Sequence, residues 1–401
     1  MSAPLRRTRG DLIATAAITA VSALLVGTAY CTAPIRADHL EPAVQELHNA
    51  GALAATPNSL TEAFRLPDHA PGVQPVVANS LIITYDEGTL TATTPDGDTA
   101  WTYHRELPLC SLGQAWGKVV ADYRNNAGCG DVVALDALTG NYAGTRSAIG
   151  PEEVAGVSSN DRVGYVGANR TELWRSDMVR TVEYGEVEAP QEPDMQPNQC
   201  QITSALTRTE LFALTETCAD GAYLRFQDTT PEDSRKPELS ASVEIGEGAY
   251  LVSISQDAAA VFDPAASRIT AYNKDGNEIS SSSVPALPGP ITLNSGVHVL
   301  PVADLPHHMT YHEGDYLVLM EPAKLTATGV FKGALGTGFA AGDRLLYASQ
   351  GGVAVINWDT NTVEKILPVD RGGYSGPVHI TSAGATVVEK RGDEVVVLAA
   401  N

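Results

Sequence analysis

Eight segments of the chain alternate apolar and polar residues just after a turn. They begin at Gly88 (GTLTATTPDG), Gly130 (GDVVALDALTG), Thr171 (TELWRSDM), Gly221 (GAYLRFQDT), Ser267 (SRITAYNKDG), Gly314 (GDYLVLMEPA), Gly352 (GVAVINWDT) and Gly392 (GDEVVVLAAN). Period-two alternation is the pattern of a strand with one buried face. Successive starts lie about 43 residues apart on average, the length of a four-stranded propeller blade. Most runs follow a second apolar segment, such as LIITY before Gly88, KVVADY before Gly130 and RLLYAS before Gly352. Strand, short polar hairpin, strand is the inner part of a blade. The Thr171 and Gly314 repeats are the least regular.

Seven of the runs are followed by chain that can supply an outermost strand, WTYHREL after Gly88 being the clearest. The eighth ends at Asn401, and SLTEAFRLPD ahead of the first blade fits the missing place, with Phe64 where the first blade carries Trp101. Borrowing that strand closes the circle and hides a sheet edge. The pattern therefore predicts an all-β fold, an eight-bladed propeller over residues 59–401, with seven blades as the alternative count.

The N-terminus is a different material. Arg6, Arg7 and Arg9 stand in a basic tail, residues 1–11, and precede the almost uncharged run LIATAAITAVSALLVGTAYCTAP, residues 12–34. That run is long enough to cross a bilayer as a signal-anchor helix, and the arginines keep its start in the cytoplasm. A cleaved signal peptide is the competing reading, but no A-x-A site closes the run. Cys31 ends the segment as a lipidated cysteine would, yet Tyr30 occupies the place where such sites carry a small residue. Residues 35–58, Ala- and Pro-rich around a short helical stretch EPAVQELHNA, read as a linker.

Composition narrows the function. Of the 401 residues 43% are hydrophobic and only 18% charged, with 36 Gly and 24 Pro, which excludes disorder and fits a turn-rich β fold. The net charge of −22 excludes a phosphate-collecting surface, so no nucleic acid is expected as a partner.

The combination of an apolar strand, G-x-L/V, alternation, then Ala-Leu-Asp and Thr-Gly resembles the repeat of the PQQ-like, or quinoprotein-type, propellers, most closely at Gly88 to Trp101, Gly130 to Gly140 and Gly352 to Thr362. That superfamily holds quinone-dependent alcohol dehydrogenases and non-enzymatic envelope scaffolds. The Ala- and Thr-rich anchor joined to an acidic exported domain is also similar to actinobacterial envelope proteins. The resemblance implies the scaffold branch. An enzyme of the superfamily would carry vicinal cysteines, acidic Ca²⁺ ligands and a docking Trp in most blades; here there is no Cys-Cys, and Trp116, Trp174 and Trp358 fall outside the position held by Trp101.

Four cysteines remain in the exported part, where oxidising conditions favour disulfides. In the propeller register Cys110 and Cys200 fall just before innermost strands, and Cys129 and Cys218 in the hairpins of the same blades. This makes Cys110 with Cys129 and Cys200 with Cys218 the expected pairs, and the spacings do not suit zinc.

Other motifs are weaker. PHHMTYH could put His308 and His312 on one strand face as metal ligands, but no carboxylate accompanies them. GGYSGP around Ser375 lacks the final Gly of a nucleophile elbow, and GALGTG lacks the helix of a phosphate cradle. The sequon Asn169-Arg170-Thr171 is short enough to arise by chance.

Neither a catalytic residue nor a cofactor or metal is expected. The expectation is a non-catalytic, single-pass, extracytoplasmic propeller that binds envelope or membrane proteins. A glycan or small-molecule module using the central funnel, and a quinone-dependent dehydrogenase, are the alternatives.

Overall fold

The computed structural model describes residues 7–187, 190, 192, 193, 195, 196 and 200–401; Arg6 lies outside them. A 24-residue helix, Arg9–Thr32, opens the chain. Thr8 caps it by accepting from the Asp11 amide, and it is long and apolar enough to cross a membrane. Arg7 and Arg9 are exposed at its start.

The rest is an eight-bladed propeller. We call the strands of a blade A to D from the axis outward, as in the second blade: Leu109–Ala115, Lys118–Asn125, Gly128–Asp136 and Tyr142–Ser147, hydrogen-bonded in that order. The C strands are Thr89–Thr93, Gly128–Asp136, Arg170–Trp174, Gly221–Asp228, Arg268–Asn273, Tyr316–Met320, Gly352–Asn357 and Glu394–Ala400, one for each repeat read from the sequence. The last blade takes its D strand from Leu60–Pro67, antiparallel to Glu394–Ala400.

Each blade is packed on both sides, and one hydrophobic cluster fills each of the eight seams. Alternation decides which seam a residue joins. In Lys118–Asn125, Val119, Ala121 and Tyr123 join the cluster shared with blade 1, whereas Val120 joins the one shared with blade 3.

The seams are latched at the C–D turns. Asp136 accepts from the amides of Leu138 and Thr139 and from the Thr139 hydroxyl, and Gly140 follows at φ 72°. Trp101 of blade 1 lies on Gly140 and donates its indole N–H to Ala137 O at 2.8 Å. Phe64 covers Gly97 in the same way, so the borrowed strand docks as Trp101 does. In blade 7 the residue equivalent to Asp136 is Asn357 rather than Asp359, accepting from the amides of Asp359 and Thr360, and Asn361 takes the left-handed place of Gly140 at φ 53°. A Cβ on Gly140 would sit 2.6 Å from Trp101 Cγ. Gly140→Ala is therefore expected to cost about 2–3 kcal/mol, as left-handed strain plus displaced packing, while Asn361→Gly relieves the left-handed backbone but gives up the bond from Asn361 Nδ2 to Thr328 O at 2.9 Å, for a net cost of no more than about 1 kcal/mol. Urea unfolding of the two variants checks this.

The turns between A and B and between C and D form one face, here the upper; the B–C hairpins and blade-to-blade crossings form the lower. Residues 38–54 are docked, not free. His39–Glu41 adds a fifth strand to blade 1, pairing His39 with His104 and Glu41 with Thr102. Residues 42–50 form no helix, because the amides of Ala43, Leu47 and Ala50 donate instead to Thr139 O, Leu138 O and Ser80 Oγ. Gly384 N then donates to Gly51 O, and Leu53 N to Ser382 Oγ, so the segment crosses the upper face from blade 2 to blade 8.

Candidate functional site

The A strands surround an axial cavity of about 410 Å³. Apolar side chains such as Leu112, Val157, Leu300 and Phe339 line it beside Gln74, Ser111, Gln114 and Ser158. Asp304 is the one charged residue among the described lining, and Arg208 already pairs with it at 2.9 Å.

Two segments of the chain close the lower end. The crossing from blade 8 to blade 1 runs through Pro71 to Pro75, and Gln74 reaches over the axis to donate to Val302 O and Thr337 Oγ1, both at 2.9 Å. From the opposite side comes a small hairpin, Ile291–Thr292 with His298–Val299. Its tip is held by Glu153, which accepts from Ser295 N at 2.7 Å and Asn294 Nδ2 at 3.2 Å, and by Gln201, which donates to Ser295 O. Val297 anchors the hairpin in the seam between blades 3 and 4. Those amide donors hold the Glu153 carboxyl below its ordinary range.

The histidines part company. His308, in the A–B turn of blade 6, stacks on Trp358; His312, at the far end of the next strand, faces His379 with ring centres 5.2 Å apart. His379 Nδ1 accepts from Thr337 N and from its hydroxyl. Burial, helped by His312, pushes His379 down to about 3, so it is neutral with the proton on Nε2. The chain Gln74, Thr337, His379 is thus a neutral hydrogen-bond relay that fixes the plug.

Both disulfides, Cys110–Cys129 and Cys200–Cys218, lie at the lower face. Glu216 stands within reach of the second pair of sulfurs, but its carboxylate accepts from Arg225 Nε at 2.6 Å and from the Tyr184 hydroxyl at 2.8 Å. Each bridge staples the start of an A strand to the B–C hairpin of its blade. Replacing Cys110 and Cys129 together by Ser is expected to lower stability by about 3 kcal/mol, the chain-entropy value for so short a loop, measured as a shift in the urea midpoint.

Sequence reasoning missed a set of buried carboxylates on the B strands of alternate blades: Asp122, Glu216, Glu313 and Glu389. Glu313 accepts from the hydroxyls of Tyr250 and Tyr311 and from Gly289 N. Glu389 holds two arginines. In the seam between blades 2 and 3, Glu172 is ringed by Arg146, Arg170 and Trp174 Nε1; burial would raise its carboxyl, but these cations and the indole outweigh it and hold it down.

The remaining motifs are structural. Tyr374 of GGYSGP donates to Pro377 O in the crossing to blade 8, GALGTG begins the A strand Ala334–Ala341, and Thr171 of the sequon is buried and donates to Tyr165 O.

No protein-family pattern matches the chain, and no curated protein is similar to it in sequence. Among solved structures it is similar to BamB from Moraxella catarrhalis, with a TM-score of 0.52 and 14% identity over 85% of this chain and 99% of the other. It is also similar to the dihydro-heme d1 dehydrogenase NirN in complex with DHE, with a TM-score of 0.50 and 12% identity over 86% of this chain and 75% of that one. At such identities the likeness is one of fold: the chain is an eight-bladed β-propeller.

Proposed function

We propose that this protein is a non-catalytic propeller, tethered by Arg9–Thr32 to the outer side of the cytoplasmic membrane, that acts as a docking scaffold for envelope or membrane proteins. The observation that carries this reading is the plugged axis. The cavity a catalytic propeller would use is closed at one end by Gln74 and the 291–299 hairpin, and its described lining offers no nucleophile beside a base. The buried carboxylates Glu172, Glu216, Glu313 and Glu389 lie in the seams instead, each bonded within the fold, and serve to hold blades together. The two disulfides suit an oxidising compartment, in keeping with that side of the membrane. Working surface then resides in the two faces and the rim.

The test is cross-linking of the full-length protein in its native membrane, followed by mass spectrometry. A reproducible envelope partner that disappears when the ring is deleted and the anchor kept is the expected result. A ring that captures no partner but binds quinone, Ca²⁺ or a glycan would replace the scaffold with a ligand-binding or redox role.

A further inference from the structure

The stem between helix and ring is short and locked at its ring end. Five residues, 33–37, separate Thr32 from Asp38, and Pro34–Arg36 among them is a tight helical turn. Even fully extended, five residues span only about 18 Å. Asp38 is buried, with 5% of its side chain exposed; it accepts from the Tyr103 hydroxyl at 3.1 Å and meets Arg105 Nε at 3.4 Å. Arg105 continues to Asp131 of blade 2 at 3.0 Å and lies over the Tyr123 ring. The ring thus begins within about 20 Å of the end of the anchor helix.

The strand register adds a direction. The D strand of blade 1, Thr99–His104, runs from the upper face to the lower, and His39–Glu41 is antiparallel to it. The chain leaving the helix therefore reaches blade 1 at the lower face, at His104 and Arg105, and climbs away from it. We infer that the stem mounts the ring with its lower face toward the bilayer, so that this face is the docking surface for a partner embedded in the same membrane. This rests on the anchored scaffold proposed above and adds the surface and the chemistry of the partner.

Charge indicates that chemistry. On the lower face the exposed acids Glu87, Glu106, Asp220, Glu247, Asp370 and Asp393 outnumber the exposed Arg124 and Lys332, while Arg105, Arg371, Lys390 and Arg391 are buried in ion pairs. The upper face interleaves its acids with Arg175, Lys236, Lys274 and Lys324, all exposed. Both disulfides and the closed end of the axis lie on this lower face. An acidic plate facing a membrane repels anionic lipid and attracts outward-facing Lys and Arg at the ends of a partner's membrane spans.

The experiment begins with the full chain, Cys31→Ser, in phosphatidylcholine vesicles carrying a rhodamine-labelled headgroup. A donor dye is placed at Glu247→Cys or Asp393→Cys on the lower face, or at Asp275→Cys or Lys274→Cys on the upper. Energy transfer is expected to be clearly stronger from the lower pair, and the difference to vanish when a ten-residue Gly-Ser segment is inserted after Arg36. Equal or reversed transfer in the uninserted protein overturns the mounting, and does so whether or not the protein is a scaffold. In the second arm a synthetic single-span peptide with four outer lysines is co-reconstituted and compared with one carrying four serines. At least fivefold tighter association with the lysine peptide, lost in 0.5 M NaCl and in Glu87→Lys/Glu106→Lys, is expected; indifference to the flank overturns the cationic partner.

Discussion

Glu389→Ala is expected to lower stability by about 3–5 kcal/mol, the cost of stranding buried cations. Glu389 is fully buried on the B strand of blade 8. Its Oε1 binds Arg371 Nη2 at 2.8 Å, and its Oε2 takes Arg371 Nε at 3.1 Å and Arg391 Nε at 2.8 Å. Arg371 also donates to Ser349 O and Gly352 O, which fixes the crossing between blades 7 and 8 to the B–C hairpin of blade 7. Removing the carboxylate leaves two guanidinium groups with 7% and 2% side-chain exposure and no other ion-pair partner among the described residues. Removing Arg391 in the same chain should recover part of the loss, because one stranded charge goes with it. Urea unfolding followed by tryptophan fluorescence measures both. A loss below about 1 kcal/mol would mean that water reaches the pair and that this seam is held by its apolar cluster alone.

That ion cluster marks where sequence reading stopped. The blades were legible because each repeats one local pattern: GDVVALDALTG encodes a strand and the turn that Asp136 and Thr139 close on themselves. The closing strand was legible because Phe64 repeats the place of Trp101, and both lie on a turn glycine of the next blade. The pairs Cys110–Cys129 and Cys200–Cys218 followed from the same register. Glu389 gave no signal, since GATVVEKRGDE reads locally as a strand entering a polar hairpin, and Arg371 arrives from the preceding crossing. The docked stem was equally silent. It binds through backbone amides to the turn atoms of other blades, which imposes no periodicity on residues 42–54, so a docked segment read as a spacer. The plug at Gln74 belongs to the same class, an ordinary amide made important by residues more than 200 positions away.

Asp122→Asn is expected to stabilise the ring at neutral pH and to do nothing at pH 4. Asp122 lies on the B strand of blade 2, 1% exposed, on the face that Val120 turns toward blade 3. Neither carboxylate oxygen has a hydrogen-bond partner among the described residues. Burial pushes its carboxyl up to about 8; Glu172 and Asp131 add to the rise and Arg146 opposes it. In the unfolded chain the same group titrates near pH 4. Between these values the folded ring keeps a proton that the unfolded chain has released, so stability falls with rising pH by about 1.4 kcal/mol per unit and levels off above pH 8. Asn carries no such charge. The difference between variant and wild type should therefore be near zero at pH 4 and about 4 kcal/mol by pH 7, the other titrating groups cancelling in the subtraction. Urea midpoints of the two proteins at pH 4.5, 6, 7 and 8 give the comparison. Parallel pH curves would show Asp122 already ionised in the folded ring, with Arg146 shared between it and Glu172, and the seam between blades 2 and 3 would then be an ion network rather than a buried acid beside one.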